Sequence, residues 1–417
     1  MNGRFLALLT LVVVVAALGT GHVLLLRVGY VLSAVLLVSA ALAWSSVRWV
    51  DVKRHTRSAR SEVGELAEET LTVRNRGWLP KLWLEIRDES DLPGHMASRV
   101  LSSLGPGQLR SWTARTRCRH RGVFTLGPLY LSGGDPLGMF RIERELPQTA
   151  PFVVYPRTVP LRGVDLPTGY LTGGQVVRRR AQFATTNVRG VRAYQPGDEF
   201  SRIHWPTTAR RGRLHSKEFE LDPIADFWLL LDLERDAHVG EPLDEVESHV
   251  HLDWMDDGGF ELEPTTEEYA VTATASLARH FLDAGKSVGM IAYGQRRLVL
   301  QPDRGERQLA KVLTNLAVLR AAGRAGLAQV LSTEGHEFGR HTTLVIVTPT
   351  TTLRWIDGLR ELRHRGVASM VVLLDASTFG TAGSSDGVRT ALAANRVPTR
   401  VLACDQDIGA ALSAPST

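Results

Sequence analysis

Cysteine is almost absent: Cys118 and Cys404 are the two in 417 residues. Two thiols so far apart, with no histidine next to either, do not suggest a disulfide framework, a zinc site or a Cys/His nucleophile. No GxxxxGK[ST] loop occurs, and no GxGxxG stands between a strand and a helix, so nucleotide binding has no local signature. Nor is a strand-to-helix nucleophile elbow expected. Low-complexity tracts are lacking too, and 44% hydrophobic with 22% charged residues is the balance of folded protein. The net charge of +5 is a small excess over such a length. It suits anionic lipid nearby better than nucleic acid.

What the chain does have is a long apolar run. Between residues 5 and 18 the one polar side chain is Thr10, and after a brief GTGH interruption the apolar character continues from Val23 to Val50. One crossing of the hydrocarbon layer takes about 20 apolar residues, so residues 1–50 predict a two-helix transmembrane hairpin, with its turn at residues 27–30. A second apolar run behind the first argues against a cleaved signal. Arg4 precedes the first span, and Arg48, Lys53, Arg54, Arg57 and Arg60 follow the second. The positive-inside bias then predicts a multi-pass protein of the cell membrane with its soluble domains in the cytoplasm.

Residues 51–160 read as short strands separated by NRG, GPG, HRG and GGDPLG turns, which predicts a small β-sandwich-like domain. A linker at 161–223 comes next. From 224 to 417 short continuous apolar runs, such as DFWLLLDL, SVGMIAY, TTLVIVT and SMVVLLD, alternate with helical stretches. That pattern predicts an α/β doubly wound sheet. Ligands collect at the carboxyl ends of strands in such sheets, here the loops after Leu233, Tyr293 and Val347.

In the first of these loops Asp232, Glu234 and Asp236 alternate. The layout resembles the von Willebrand factor A domain, whose D-x-S-x-S loop supplies magnesium with a carboxylate and two hydroxyls. Asp232 matches the first ligand, but Glu234 and Asp236 replace the serines, and VTPT at 347–350 offers hydroxyls where that pattern has an aspartate. The expectation is a degenerate site: no cofactor, with Mg²⁺ as the alternative that three oxygen donors would suit. Residues 237–263 form an acid-rich insertion with His249 and His251.

The segment VRAYQPGDEFSRIHWPTTARRGRL carries Val191, Arg192, Tyr194, Gly197, Asp198, Arg202, Ile203, His204, Trp205, Ala209, Arg210, Gly212 and Leu214. With RNRG at 74–77, RGVFTLGP at 121–128, GDPLGMF at 134–140 and VYP at 154–156, it resembles the bacterial family known as domain of unknown function 58. The resemblance implies a membrane anchor, a von Willebrand A-like domain and association with a MoxR-type AAA ATPase, without an established enzymatic activity. From the residues themselves, Pro196-Gly197 suits a turn, Asp198 can pair with Arg202, Pro206 opens a second turn ending near Arg210, and Gly212 reverses the chain into a strand. Tyr194, Ile203 and Trp205 are expected to pack as a brace, whereas Arg211 and Arg213 are candidates for docking an acidic partner. The expected function is a non-enzymatic membrane adaptor or scaffold that works on unknown clients with such an ATPase. The alternative is a divalent-metal-dependent hydrolase using Asp232, Glu234 and Asp236.

Overall fold

A computed structural model of the chain describes residues 3–164, 188–195, 198, 200, 203–219, 226–240, 262–339, 342–381 and 383–414. Two compact units result, one built on Met1–Arg157 and the other on most of the chain from Thr158 onward.

The first unit begins with helices α1 (Gly3–Thr20) and α2 (Val23–Ser46). The break between them falls at residues 21–22, not at 27–30 as expected. Gly21 there has φ of 65°, a left-handed conformation that ends a helix at little cost only for glycine. Residues 27–30 lie inside α2, where Gly29 is a contact point with α1: a Cβ placed on it would lie 3.1 Å from Val14. At 24 residues, α2 is long and apolar enough to cross a membrane, while the apolar part of α1, Phe5–Thr20, is shorter.

Ten strands follow among its described residues: β1 (Val50–Thr56), β2 (Arg60–Glu62), β3 (Leu66–Asn75), β4 (Leu84–Asp88), β5 (Arg99–Leu101), β6 (Leu109–Arg117), β7 (Gly122–Leu126), β8 (Leu129–Gly134), β9 (Arg141–Leu146) and β10 (Ala150–Tyr155). They form sheets ordered β1-β3-β6, β5-β4-β8-β9 and β2-β10-β7. Period-two alternation puts Leu71 and Val73 of β3, Leu84 and Ile86 of β4 and Leu131 of β8 into one core. The β-rich expectation holds for this unit. Strand β1 went unread because its charges, VDVKRHT, look like a membrane flank, although Val50 and Val52 alternate inward.

Arg54 is the correction with the largest physical consequence. Counted as a flanking cation, it is instead buried in β1, with its guanidinium paired to Glu69 and Asp88. His95 completes the cluster, its Nε2 lying 2.8 Å from Glu69 and 3.4 Å from Asp88, and its Nδ1 2.9 Å from the Thr116 hydroxyl. Ser90 donates to Asp88 at 2.6 Å. Such a cluster tolerates burial only while its cation is present.

In the second unit β11 (Val188–Ala193) and β12 (His215–Phe219) form an antiparallel pair, with helix α3 (Trp205–Arg211) between them in sequence. Then come β13 (Asp226–Leu231), α4 (Thr266–Asp283), β14 (Ser287–Tyr293), β15 (Arg297–Asp303), α5 (Glu306–Val318), α6 (Leu327–Glu334), β16 (Thr343–Thr348), α7 (Trp355–His364), β17 (Ala368–Leu374), α8 (Asp386–Ala394), β18 (Thr399–Leu402) and α9 (Ile408–Ser413). The sheet order is β15-β14-β13-β16-β17-β18, parallel except for β15, which runs antiparallel to β14 at one edge. The apolar runs quoted from the sequence are all strands, and α4, α5 and α7 are among the helices that alternate with them. The edge strand β15 and the short helices α6, α8 and α9 were not anticipated.

Replacing Arg54 by Met strands two buried carboxylates and is expected to destabilise the first unit by about 3–5 kcal/mol in urea unfolding. Arg57→Met is the control, since Arg57 pairs with Glu68 at 3.0 Å in an exposed position, and it should leave the midpoint unchanged within scatter.

Candidate functional site

Strand order in the six-stranded sheet reverses between β13 and β16, because the chain builds β14 and β15 on one side of β13 and then crosses to the other. The carboxyl ends of those two strands are the usual ligand position in such sheets. Asp232 leaves β13 there and Thr348 ends β16.

Asp232 is buried, and its carboxylate is held from two directions. The Thr348 hydroxyl donates to Oδ2 at 2.6 Å, and the Glu234 backbone N–H donates to Oδ1 at 3.1 Å. Its own backbone N–H donates to the Val347 carbonyl at 3.0 Å, while its carbonyl accepts from His238 Nε2 at 2.9 Å. The other ring nitrogen of His238 lies 3.1 Å from the Thr266 hydroxyl, and Thr350 N–H donates to the Thr348 hydroxyl oxygen at 3.0 Å. Burial pushes the Asp232 carboxyl above the ordinary range, opposed by the bonds from Thr348 and Glu234 N–H and by nearby His238. Burial also raises Glu234, helped by the charges of Asp232 and Asp236.

The three loop carboxylates take separate environments. Asp232 points in to Thr348; Glu234 lies against Gly326, the residue capping α6, where an added Cβ would come within 3.3 Å of its oxygens; Asp236 is exposed on a short 3-10 turn. Among the described residues, the groups that bring three ligand atoms within 4.8 Å are Glu69/Asp88/His95 and Glu334/His336/Glu337, and the Asp232 loop is not one of them. In each of those groups an arginine already fills the cation's role: Arg54 in the first, and in the second Arg297, whose Nε and Nη2 donate to Glu334 at 2.6 and 2.9 Å.

His238 and Thr266 were not foreseen, since they are 28 residues apart and no spacing links them. One pattern was also passed over. Residues 383–387 read G-x-S-x-G, but β17 ends at Leu374 and Ser385 is buried at the start of α8, so the serine occupies no strand-to-helix elbow. Most of the acidic insertion, with His249 and His251, lies outside the described residues.

The signature segment forms its own small assembly. Tyr194 N–H donates to Leu214 O at 2.9 Å, and His204 N–H to His215 O at 2.8 Å. His204 caps α3, its Nδ1 accepting from Thr207 N–H at 3.3 Å. Pro206 occupies the first turn, and Gly212, with φ of 66°, ends the helix and turns the chain into β12, as the sequence predicts. Asp198 is paired to Arg192, whose Nη2 is 2.6 Å away; its expected partner Arg202 and the turn glycine Gly197 lie outside the described residues. Ile203 is buried as expected. Trp205 is not: it is 63% exposed, and Phe200 is 76% exposed. Standing in the first turn of a seven-residue helix with no buried face, Trp205 has nothing to pack under. The side chains of Arg210, Arg211 and Arg213 are exposed and make no ion pair among the described residues.

Asp232→Asn preserves an acceptor for Glu234 N–H and a donor for the Thr348 oxygen without a buried charge. A carboxyl raised by folding contributes most stability below its unfolded value, about 3.9, and loses it as pH rises through the folded value. The variant is therefore expected to melt higher than the parent at about pH 8, with the gap closing toward about pH 4. A Mg²⁺-induced rise in melting temperature that the parent shows and the variant lacks would instead place a cation at Asp232.

An uncharacterized protein, YeaD, of Bacillus subtilis (strain 168) is 25% identical over 185 residues, 44% of this chain; the chain spans 38% of the length of that curated relative. Among solved structures, the pilus adhesin SpaC of Lactobacillus rhamnosus GG is similar at a TM-score of 0.31 with 10% identity, over 46% of this chain and 30% of that one. Proximal thread matrix protein 1 of the mussel byssus reaches 0.30 with 12% identity, over 45% and 46%. The family match falls on the hairpin with its exposed tryptophan and on the sheet with Asp232 at its switch point: residues 190–378 match the family described as protein of unknown function DUF58.

Proposed function

We infer that this chain is a membrane-anchored docking protein without catalytic activity, and that its signature hairpin is the surface a partner grips. The observation that carries this is the exposure of Trp205 and Phe200 beside three arginines without ion-pair partners among the described residues. A structural brace buries its tryptophan; an interface anchor keeps it in water until a partner covers it, and Trp and Arg are the residue types that carry most binding energy at interfaces. A MoxR-type AAA ATPase is the partner that the family resemblance implies. Its binding surface would have to be acidic to meet the forks of Arg210, Arg211 and Arg213.

The von Willebrand A-like reading of residues 224–417 draws support from the strand order, with its single antiparallel strand at the edge. In this reading the Asp232 loop is a degenerate metal site whose carboxylate has turned inward to a threonine hydroxyl. Two crossings by α1 and α2, with both units in the cytoplasm, complete the proposal.

Trp205→Ala and Arg211→Glu are expected to leave the melting temperature within scatter, as exposed substitutions do, and to weaken capture of the cognate MoxR-type ATPase by the full chain in detergent. Capture unchanged in both variants would remove the hairpin from the interface. For topology, Cys404 is partly exposed and Cys118 is buried. A membrane-impermeant maleimide should leave Cys404 unmodified in intact cells, modify it once the membrane is opened, and reach Cys118 only on unfolding. Labelling of Cys404 in intact cells would reverse the orientation.

A further inference from the structure

Helix α2 passes into the first unit with no linker: only residues 47–49 separate its last residue, Ser46, from β1. Val47 is part of the β-core. The buried Lys81 ammonium donates to the carbonyl of Ser45 in the last turn of α2, where a cation offsets the helix's carbonyl end. Burial pushes the Lys81 pKa down. A Cβ on Gly133 of β8 would collide with Ser46, and one on Gly77 would lie 3.4 Å from Trp49. Arg76 N–H donates to the Trp49 carbonyl at 2.7 Å. The segment 76–83 and the β8–β9 connection, 135–140, are thereby held beside the end of α2.

Those two segments carry large apolar side chains in the open. Trp78 is 76% exposed, Leu82 53% and Leu137 61%, next to Trp44 at 48% and Trp49 at 44%. Leu137 is held at a turn tip by Asp135, whose carboxylate accepts from Leu137 N–H at 3.1 Å and Phe140 N–H at 2.7 Å. The turn therefore has an internal reason to be rigid and none to display a leucine to water. Trp44 and Trp49 meet edge to face at 5.6 Å, and the Arg48 guanidinium lies 4.4 Å over the Trp44 ring. Tryptophan with a cation beside it is the composition of a membrane–water boundary.

We propose that residues 76–83 and 135–140 form an apron that sits in the lipid headgroup layer around the end of α2, so that Trp78, Leu82 and Leu137 are immersed and the first unit rests on the bilayer. Continuity identifies the occupant: the lipid-facing stripe of α2, with Val31, Leu37 and Val38 exposed, runs into Trp44, and the apron begins where that stripe ends. This rests on the reading of α2 as a membrane helix, and its test separates the two. The opposite end of the unit gives the control. Register pairs Val50 with Asn75 near α2 and Thr56 with Glu69 six residues on, roughly 20 Å away at strand spacing. Met96 lies there, next to the His95 that bonds Glu69, and is 74% exposed.

The experiment is nitroxide accessibility in the full chain, reconstituted in phosphatidylcholine–phosphatidylglycerol liposomes. Single probes are introduced by Trp78→Cys, Leu137→Cys, Met96→Cys and Leu37→Cys in a Cys404→Ser background, with Cys118 left buried. The expected result is that probes at 78 and 137 collide more with oxygen than with a water-soluble nickel chelate, the reverse of the order at 96. If 78 and 137 behave like 96 while 37 is lipid-immersed, the anchor stands and the apron is overturned. If 78 and 137 are shielded from both reagents, a protein surface covers them and the proposal is equally overturned. A probe at 37 open to the nickel chelate removes the anchor itself, and the apron with it.

Discussion

Strand β13 has a neighbour on each side. Its backbone pairs in parallel register with β14 and with β16, and Phe227 to Leu231 are buried on both faces. Every polar group of the strand is satisfied within the sheet, which is why the run can be continuously apolar. The next residue inherits the consequence. Chain direction forces Asp232 out at the switch point still inside the protein, so its charge must be met by whatever the neighbouring strand end supplies. That strand end supplies Thr348. A hydroxyl can donate one hydrogen bond but cannot neutralise a charge, and the raised carboxyl of Asp232 records the shortfall.

Legibility in the sequence tracked burial on two faces. Strands β13, β14, β16 and β17 announce themselves as unbroken apolar runs; β15 does not, because this edge strand buries none of its residues fully, exposes Arg297, Gln301 and Asp303, and contains a proline. Strand β1 was hidden by its charges, and the interhelix turn was set at 27–30 although the break falls in the GTGH interruption and Gly29 lies inside α2 against Val14. In the signature segment the cap, the proline and Gly212 were readable because they obey local rules. The exposure of Trp205 was not, since sequence alone cannot say which aromatic has a partner to lie under. His238 and Thr266 meet through the fold alone.

The two units handle buried charge differently. At the switch point a carboxylate leans on neutral donors. In the β-unit Glu69 and Asp88 share a full cation, with His95 bridging to Thr116. The second arrangement is specific as well as stabilising: a guanidinium fork fixes angles as well as distance, so the pairing ties β1 and β3 to the end of β4 in the neighbouring sheet. It also removes Arg54 from the basic residues that follow α2 in sequence as a positive-inside signal, leaving Arg48, Lys53, Arg57 and Arg60.

Because Lys81 fastens the last turn of α2 to the sheet and only three residues intervene before β1, the junction has no swivel. A flexible tether lets a domain tumble independently of its anchor; this one transmits torque. On the proposed reading of α2 as a membrane helix, a roll or tilt of α2 with bilayer thickness would turn β1, β8 and β9 with it, the helix acting as an axle and the β-unit as the part it turns.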